Sequence, residues 1–265
     1  MADRAPMTLA VGFPTATPRS LTGRVELALA DALQLPTRPE QVSGVLGAMF
    51  STIGGLPVTR ELVDRLATGA RAWCLTRAAL LFQPGLRWFQ ASCSACGEAY
   101  DISASLADTP RSDIPKAFPV IEVETTLGPR RFEVPNGTTE RALVDASAPT
   151  ALRVLAASCG LDHAAADQAS RFNRSDLDLI EAQLDAATPD IPDALTTHCP
   201  LCDAETSAHI DPLNFAFPDA RNLLGQVHLI ARAYHWDERD ILDMPSSRRR
   251  RYAEIITQMS QGARR

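Results

Sequence analysis

Apolar positions in the first third of the chain recur at helical spacing. Val25, Leu27, Leu29 and Leu33 give residues 21–35 one apolar face. Residues 39–53 read as a second helix stopped by Gly54-Gly55. Thr59 suits the N-cap of a third helix, with Leu62, Val63 and Leu66 inward. Gly69 is expected to break it, and residues 70–82 continue as a fourth helix up to Pro84-Gly85. The period then changes. Residues 86–91 are aromatic-rich (Trp88, Phe89) and strand-like, and residues 99–103 form a second strand. In 118–125, Ile121 and Val123 alternate with Val120, Glu122 and Glu124, and Gly128 turns the chain into a partner strand over 130–134. Helical patterning returns over 138–145, 149–159 and 175–187, where Ser175 and Asp178 have the spacing of a capping box. Residues 206–210 read as a strand. Residues 219–234 carry a stripe of Leu223, Val227, Ile230 and Tyr234. A short helix over 237–242 and a last helix from Pro245 follow. The last helix sets Tyr252, Ile255, Ile256 and Met259 against four consecutive arginines.

These segments predict an α+β fold. Residues 1–20, with Pro6, Pro14 and Pro18, form an extended arm and 21–84 a helical N-terminal block. Residues 85–136 and 196–217 form a discontinuous, zinc-ribbon-like antiparallel β module. A helical insert fills 137–195, and 218–265 is a helical C-terminal segment. The length of 265 residues suffices for a buried core without disulfide staples. A hydrophobic content of 45% and a charged content of 22% exclude a disordered chain or a coiled-coil rod. The net charge of −6 disfavours a nucleic-acid binder. The longest unbroken apolar run, residues 78–82, is far short of the roughly 20 residues of a spanning helix. No membrane association is expected. The first residues pair Asp3 with Arg4 and lack the charge pattern of a secretory signal, so a cytoplasmic location is expected, free or within an assembled particle.

Four of the six cysteines fall in two Cys-x-x-Cys pairs, Cys93/Cys96 and Cys199/Cys202. Two such turns can supply four thiolates to one tetrahedral Zn²⁺. The residue after the second sulfur of such a turn often needs positive φ, which Gly97 adopts freely and Asp203 tolerates. Redox dithiols and disulfides are the competing readings. Neither pair opens a helix within a βαβ unit, and a reducing compartment disfavours disulfides. The zinc reading therefore leads, with one structural Zn²⁺ on Cys93, Cys96, Cys199 and Cys202. The 102 residues between Cys96 and Cys199 make it unusual. Four thiolates leave no open coordination position, which argues for a structural metal and against an enzyme. Cys74 and Cys159 sit in apolar helical patterns as core thiols.

Other features are weaker. Arg248, Arg249, Arg250 and Arg251 are a solvated helix face, a surface for an acidic protein partner or, least favoured, a contact to nucleic acid. Tyr234 and Trp236 close an amphipathic helix and are either packing or part of the same partner surface. His198 and His209 flank the second cysteine pair, where either could replace a cysteine ligand or donate a hydrogen bond to a thiolate. Asp176, Asp178 and Glu181 read as helix-dipole complements. The chain shows no phosphate-binding loop and no Ser/His/Asp arrangement.

The order of these parts resembles a known family. Leu21-Thr22-Gly23 opens the helical block, and Cys-x-x-Cys-Gly is followed by Tyr100-Asp101-Ile102. Val134-Pro135-Asn136-Gly137-Thr138 and Cys-Pro-x-Cys with Ile210-Asp211-Pro212 come next. The tail runs from Leu224 through His228-Leu229, Tyr234-His235-Trp236 and Ile241-Leu242 to Pro245 and the arginine-rich helix. This pattern, over residues 21–252, is similar to the baseplate hub assembly chaperone family of T-even-type phages and its homologues in phage-tail-like contractile injection systems. The resemblance implies a non-catalytic assembly factor or minor baseplate component that binds hub or spike proteins. The alternative is a zinc-ribbon adaptor for nucleic acid or the transcription machinery.

Overall fold

A computed structural model describes residues 4–161 and 167–262. Residues 1–3 of the expected arm, 162–166 of the expected insert and 263–265 of the expected C-terminal segment lie outside the described residues. The protein is α+β, with small antiparallel sheets among helices.

The N-terminal block holds β1 (Ala16–Pro18), α1 (Gly23–Ala32), α2 (Arg38–Met49), β2 (Phe50–Ile53), β3 (Leu56–Pro57), α3 (Arg60–Asp64) and α4 (Thr68–Leu80). The helix expected up to Ile53 ends at Met49, and the next four residues are a strand between β1 and β3. Gly54 (φ +60°) and Gly55 (φ +79°) form a two-residue turn with both φ positive, the geometry that closes a hairpin. Thr52 and Ile53 are β-branched and suit the strand leading into it. Thr59 caps α3 as expected, accepting from the Leu62 N–H at 3.1 Å. Gly69 does not break a helix: it lies in the first turn of α4. A Cβ at that position would fall 1.7 Å from the Pro189 carbonyl oxygen, so only glycine allows this close approach.

The hairpin of β6 (Val120–Thr125) and β7 (Gly128–Glu133) turns at Gly128, φ +93°. Its Ile121, Val123 and Phe132 are buried among Leu46, Leu75 and Leu177 in the main core. That core also takes in helices α5 (Gly137–Leu143), α6 (Ala151–Cys159) and α7 (Arg174–Ala187). Residues 118–134, expected within the ribbon module, therefore pack with the helices of the insert and the N-terminal block. Cys74 and Cys159 are fully buried in this core, and burial pushes both thiols up to about 12.

Buried charge joins these elements. Arg71 in α4 is 1% exposed. It donates to the carbonyls of Val63 (2.9 Å) and Pro39 (2.8 Å) and to Glu140 (2.7 Å), tying α2, α3 and α5 together. Gly137 gives it room, because a Cβ there would lie 2.6 Å from Arg71 Nη1. Buried Glu133 anchors the N-terminal arm, accepting from Arg4 (2.6 Å) and from the backbone N–H groups of Met7 and Thr8 (2.7 Å each).

The capping box of α7 is formed by Asn173 and Asp176, two residues before the expected Ser175/Asp178 pair. A tertiary contact explains the shift: Asp176 also accepts from the Thr126 N–H (2.8 Å) and hydroxyl (2.6 Å) at the β6–β7 turn. Asp178 instead pairs with Arg174 at 2.8 Å. Burial alone would raise the Asp176 pKa, but the bonds from Thr126 and Asn173 outweigh it and hold the carboxyl below its ordinary value. A depressed folded pKa stabilises the fold above the unfolded value near 3.9, and that contribution is lost as pH falls through the folded value. Asp176→Asn is therefore expected to cost about 1–3 kcal/mol at neutral pH. The gap between variant and parent in urea unfolding should narrow below about pH 4. A gap that persists unchanged in that acid range would contradict the role given to this carboxylate.

The C-terminal segment comprises α8 (Ala220–Tyr234), α9 (Glu238–Asp243) and α10 (Ser246–Gly262). Leu223, Val227 and Ile230 are buried as the stripe predicts. They pack with Ile241 and Leu242 and against Leu27 of α1, forming a second hydrophobic cluster.

Candidate metal centre

Two hairpins carry the paired cysteines. In the first, β4 (Arg87–Ser92) pairs antiparallel with β5 (Ala99–Ala104). In the second, β8 (Ala194–His198) pairs antiparallel with β9 (Glu205–His209). The strand entering the second knuckle was not read from the sequence, although Leu195, Thr196 and Thr197 are strand-favouring residues. The turns repeat one backbone pattern. Cys93 N–H donates to the Glu98 carbonyl and Gly97 N–H to the Cys93 carbonyl, both at 2.9 Å. Cys199 N–H likewise donates to Ala204 (3.0 Å) and Asp203 N–H to Cys199 (2.9 Å). Gly97 at φ +77° and Asp203 at φ +58° take the left-handed conformation expected of them.

The four sulfurs converge across 102 residues of intervening chain. Cys93 Sγ lies 3.6 Å from Cys202 Sγ, and Cys96 Sγ lies 3.8 Å from Cys199 Sγ. All four ligand atoms lie within 4.8 Å of one another. A metal–sulfur distance near 2.3 Å gives a tetrahedral edge of about 3.8 Å, so the site fits one tetrahedrally held ion. The same distances are far beyond an S–S bond, and both run from one cysteine pair to the other. The knuckles sit on a small core of Ala91, Tyr100 and Ile102 with Cys93 and Cys199, backed by Phe89 and Ala208. His198 contacts the Asp203 carbonyl (3.2 Å) and His209 lies 3.7 Å from Asp193, so neither histidine joins the cluster.

The electrostatics favour a cation. Backbone N–H groups of Cys96 and Ala95 point at Cys93 and lower its thiol to about 6. At Cys202 the Ala204 N–H favours the thiolate, but the adjacent Cys96 and Cys93 sulfurs outweigh it and push the group up to about 12. One thiolate forms readily here. Four can coexist only around a positive ion that offsets their mutual repulsion.

The predicted partner residues divide in the structure. Arg248, Arg250 and Arg251 are exposed on α10, whereas Arg249 is 1% exposed. Arg249 pairs with buried Glu26 of α1 and donates to Gln226 at 3.1 Å, so it is corrected from a surface residue to a core ion pair. Arg250 also reaches Glu26, at 3.1 Å. Tyr234 (36% exposed) and Trp236 (39% exposed) stack with centroids 5.0 Å apart, and Tyr252 meets Trp236 edge-on at 5.2 Å. These rings pack the end of α8 on α10 and leave one side open. Among the described residues no helix is long and apolar enough to cross a membrane. No family model matches the chain, and neither a curated protein nor a solved structure matches it.

Proposed function

We propose that the chain is a non-catalytic assembly factor or minor baseplate component of a contractile injection system or phage tail. It binds hub or spike proteins through a scaffold stabilised by one Zn²⁺ on Cys93, Cys96, Cys199 and Cys202. An ion held by four thiolates joins distant segments and leaves no position for substrate. The observation that carries the assembly reading is that the two ends of the family-like pattern meet in space. Thr22 of Leu21-Thr22-Gly23 bridges to Pro245, and the Ser246 N–H donates to the Leu21 carbonyl at 2.9 Å. Gly23 fits there because a Cβ would lie 2.7 Å from Arg249 Nη1 and 2.9 Å from Leu242. The first and last segments behind the resemblance thus pack on each other, which supports the reading.

The nucleic-acid alternative is disfavoured by charge. The cysteine hairpins carry Glu98, Asp101, Asp203 and Glu205 against Arg87, a poor surface for phosphates. Deleting the gene within its cluster tests the assembly reading. Sheath and tube proteins are expected to accumulate while assembled particles fall sharply. Normal numbers of working particles in the deletion strain would remove it.

A further inference from the structure

A cavity of about 310 Å³ lies at the foot of the two hairpins. Its apolar lining comes from α4 (Leu75), from the first hairpin and its exit (Leu86, Phe89, Leu106) and from the approach to β8 (Ile191, Leu195). This size is at the lower end for ligand pockets and suits one or two large side chains. Leu86 is 66% exposed at the mouth, and the adjacent Trp88 is 67% exposed. The rim is acidic. Arg38 is already engaged by Asp211 at 2.8 Å. Asp108 has no ion-pair partner among the described residues, and exposed Asp193 lies 3.7 Å from the exposed His209, with Asp190 and Arg38 also within electrostatic reach.

This acidity extends over the whole ribbon. Residues 87–108 and 190–211 contain one arginine and eight carboxylates, a formal charge of −7 with histidines neutral. The chain as a whole carries −6, so its remainder is +1. A Zn²⁺ on four thiolates adds two more negative charges.

We infer that this cavity is a docking site for a cationic segment of a partner protein, which inserts an apolar side chain between α4 and the hairpins while its basic flanks meet the acidic rim. The inference deepens the partner-binding role proposed above and rests on it for the existence of a protein partner. The metal enters indirectly. The cavity walls come from both hairpins, and the four-sulfur site is what clamps them together.

The test uses the full zinc-loaded chain and three labelled hexapeptides in fluorescence anisotropy: Arg-Arg-Leu-Phe-Arg-Arg, Arg-Arg-Ser-Ser-Arg-Arg and Glu-Glu-Leu-Phe-Glu-Glu. The first is expected to bind saturably at low salt. The serine peptide should bind at least about tenfold more weakly, since it buries no apolar side chain. The glutamate peptide should not bind. Leu86→Ser and the pair Asp108→Asn/Asp193→Asn change exposed positions, so folding is retained. The first should weaken binding of the Leu-Phe peptide several-fold. The second should weaken it about fivefold and flatten its salt dependence. Chelation should abolish binding. The inference is overturned by equal affinity for all three peptides, by no saturable binding of any, or by binding indifferent to Leu86→Ser and to chelation. A dimer that Leu86→Ser disperses would reassign the cavity to a second copy of the chain. Peptide binding alongside normal particles in the deletion strain would keep the cavity site and remove the assembly role. The opposite pair of results would do the reverse.

Discussion

If the four-sulfur site holds an ion, as proposed above, removing that ion is expected to melt the two cysteine hairpins while the helical core stays folded. Each hairpin is a separate two-stranded sheet, and such ribbons are marginal in water without further packing. Their own core is small, centred on Ala91, Tyr100 and Ile102, and is distinct from the cluster around Leu46, Leu75 and Phe132. The four-sulfur site is therefore the chief restraint between them. Purified protein should carry one zinc per chain, and Cys93→Ser should lose it. The variant should raise the exchange rates of amides in β4, β5, β8 and β9 by about a hundredfold or more, a loss of roughly 3 kcal/mol. Amides of α2 and α4 should remain protected. Acid acts in the same direction: metal-bound thiolates resist protonation, so the site contributes at neutral pH and its contribution is lost as pH falls. Full-length protein without bound metal, or hairpins whose exchange ignores chelation, would remove the structural ion from the account.

The second large effect concerns the arginine run. Arg249→Met is expected to destabilise the fold by about 3–5 kcal/mol, because it leaves the carboxylate of Glu26 buried with only Arg250 at its edge. The double variant Glu26→Leu/Arg249→Met should recover much of that loss, since an apolar pair of similar volume replaces the ion pair. Changing Arg248, Arg250 and Arg251 together to serine should cost no more than about 1 kcal/mol. That triple variant is the one that tests an acidic partner: capture should weaken and lose its salt dependence with the thermal transition nearly unchanged. Urea unfolding followed by circular dichroism separates the two groups. An Arg249→Met protein as stable as its parent would mean that the Glu26 pair holds nothing together.

Features that depend on local chemistry were legible in the chain. The knuckles are one case, because the Cys-x-x-Cys turn and its left-handed closing residue are set by a few consecutive residues, Gly97 and Asp203 among them. The stripe of α8 is another, since a period of 3.6 marks the apolar face regardless of what covers it. Its covering was not legible: Leu223, Val227 and Ile230 meet α1, α9 and α10, not the ribbon or a partner. Arg249 shows the same limit. It precedes Tyr252, Ala253 and Ile256 by three, four and seven residues and so shares their face, but only Glu26 on a distant helix turns that position from surface into core.

Taken alone, the amino-acid sequence determined the two paired-cysteine turns, the mixed helix and sheet character and most of the helix faces. Each of these follows from residue type and short-range spacing. The tertiary structure alone decided three things: the strand at residues 50–53, the start of α7 at a residue bonded to Thr126, and the apolar cavity with its acidic rim beneath the ribbon. Their physical reason is common to all three. A backbone group, a carboxylate or an apolar side chain takes its state from partners far away in the chain, and those partners are chosen only when the segments pack.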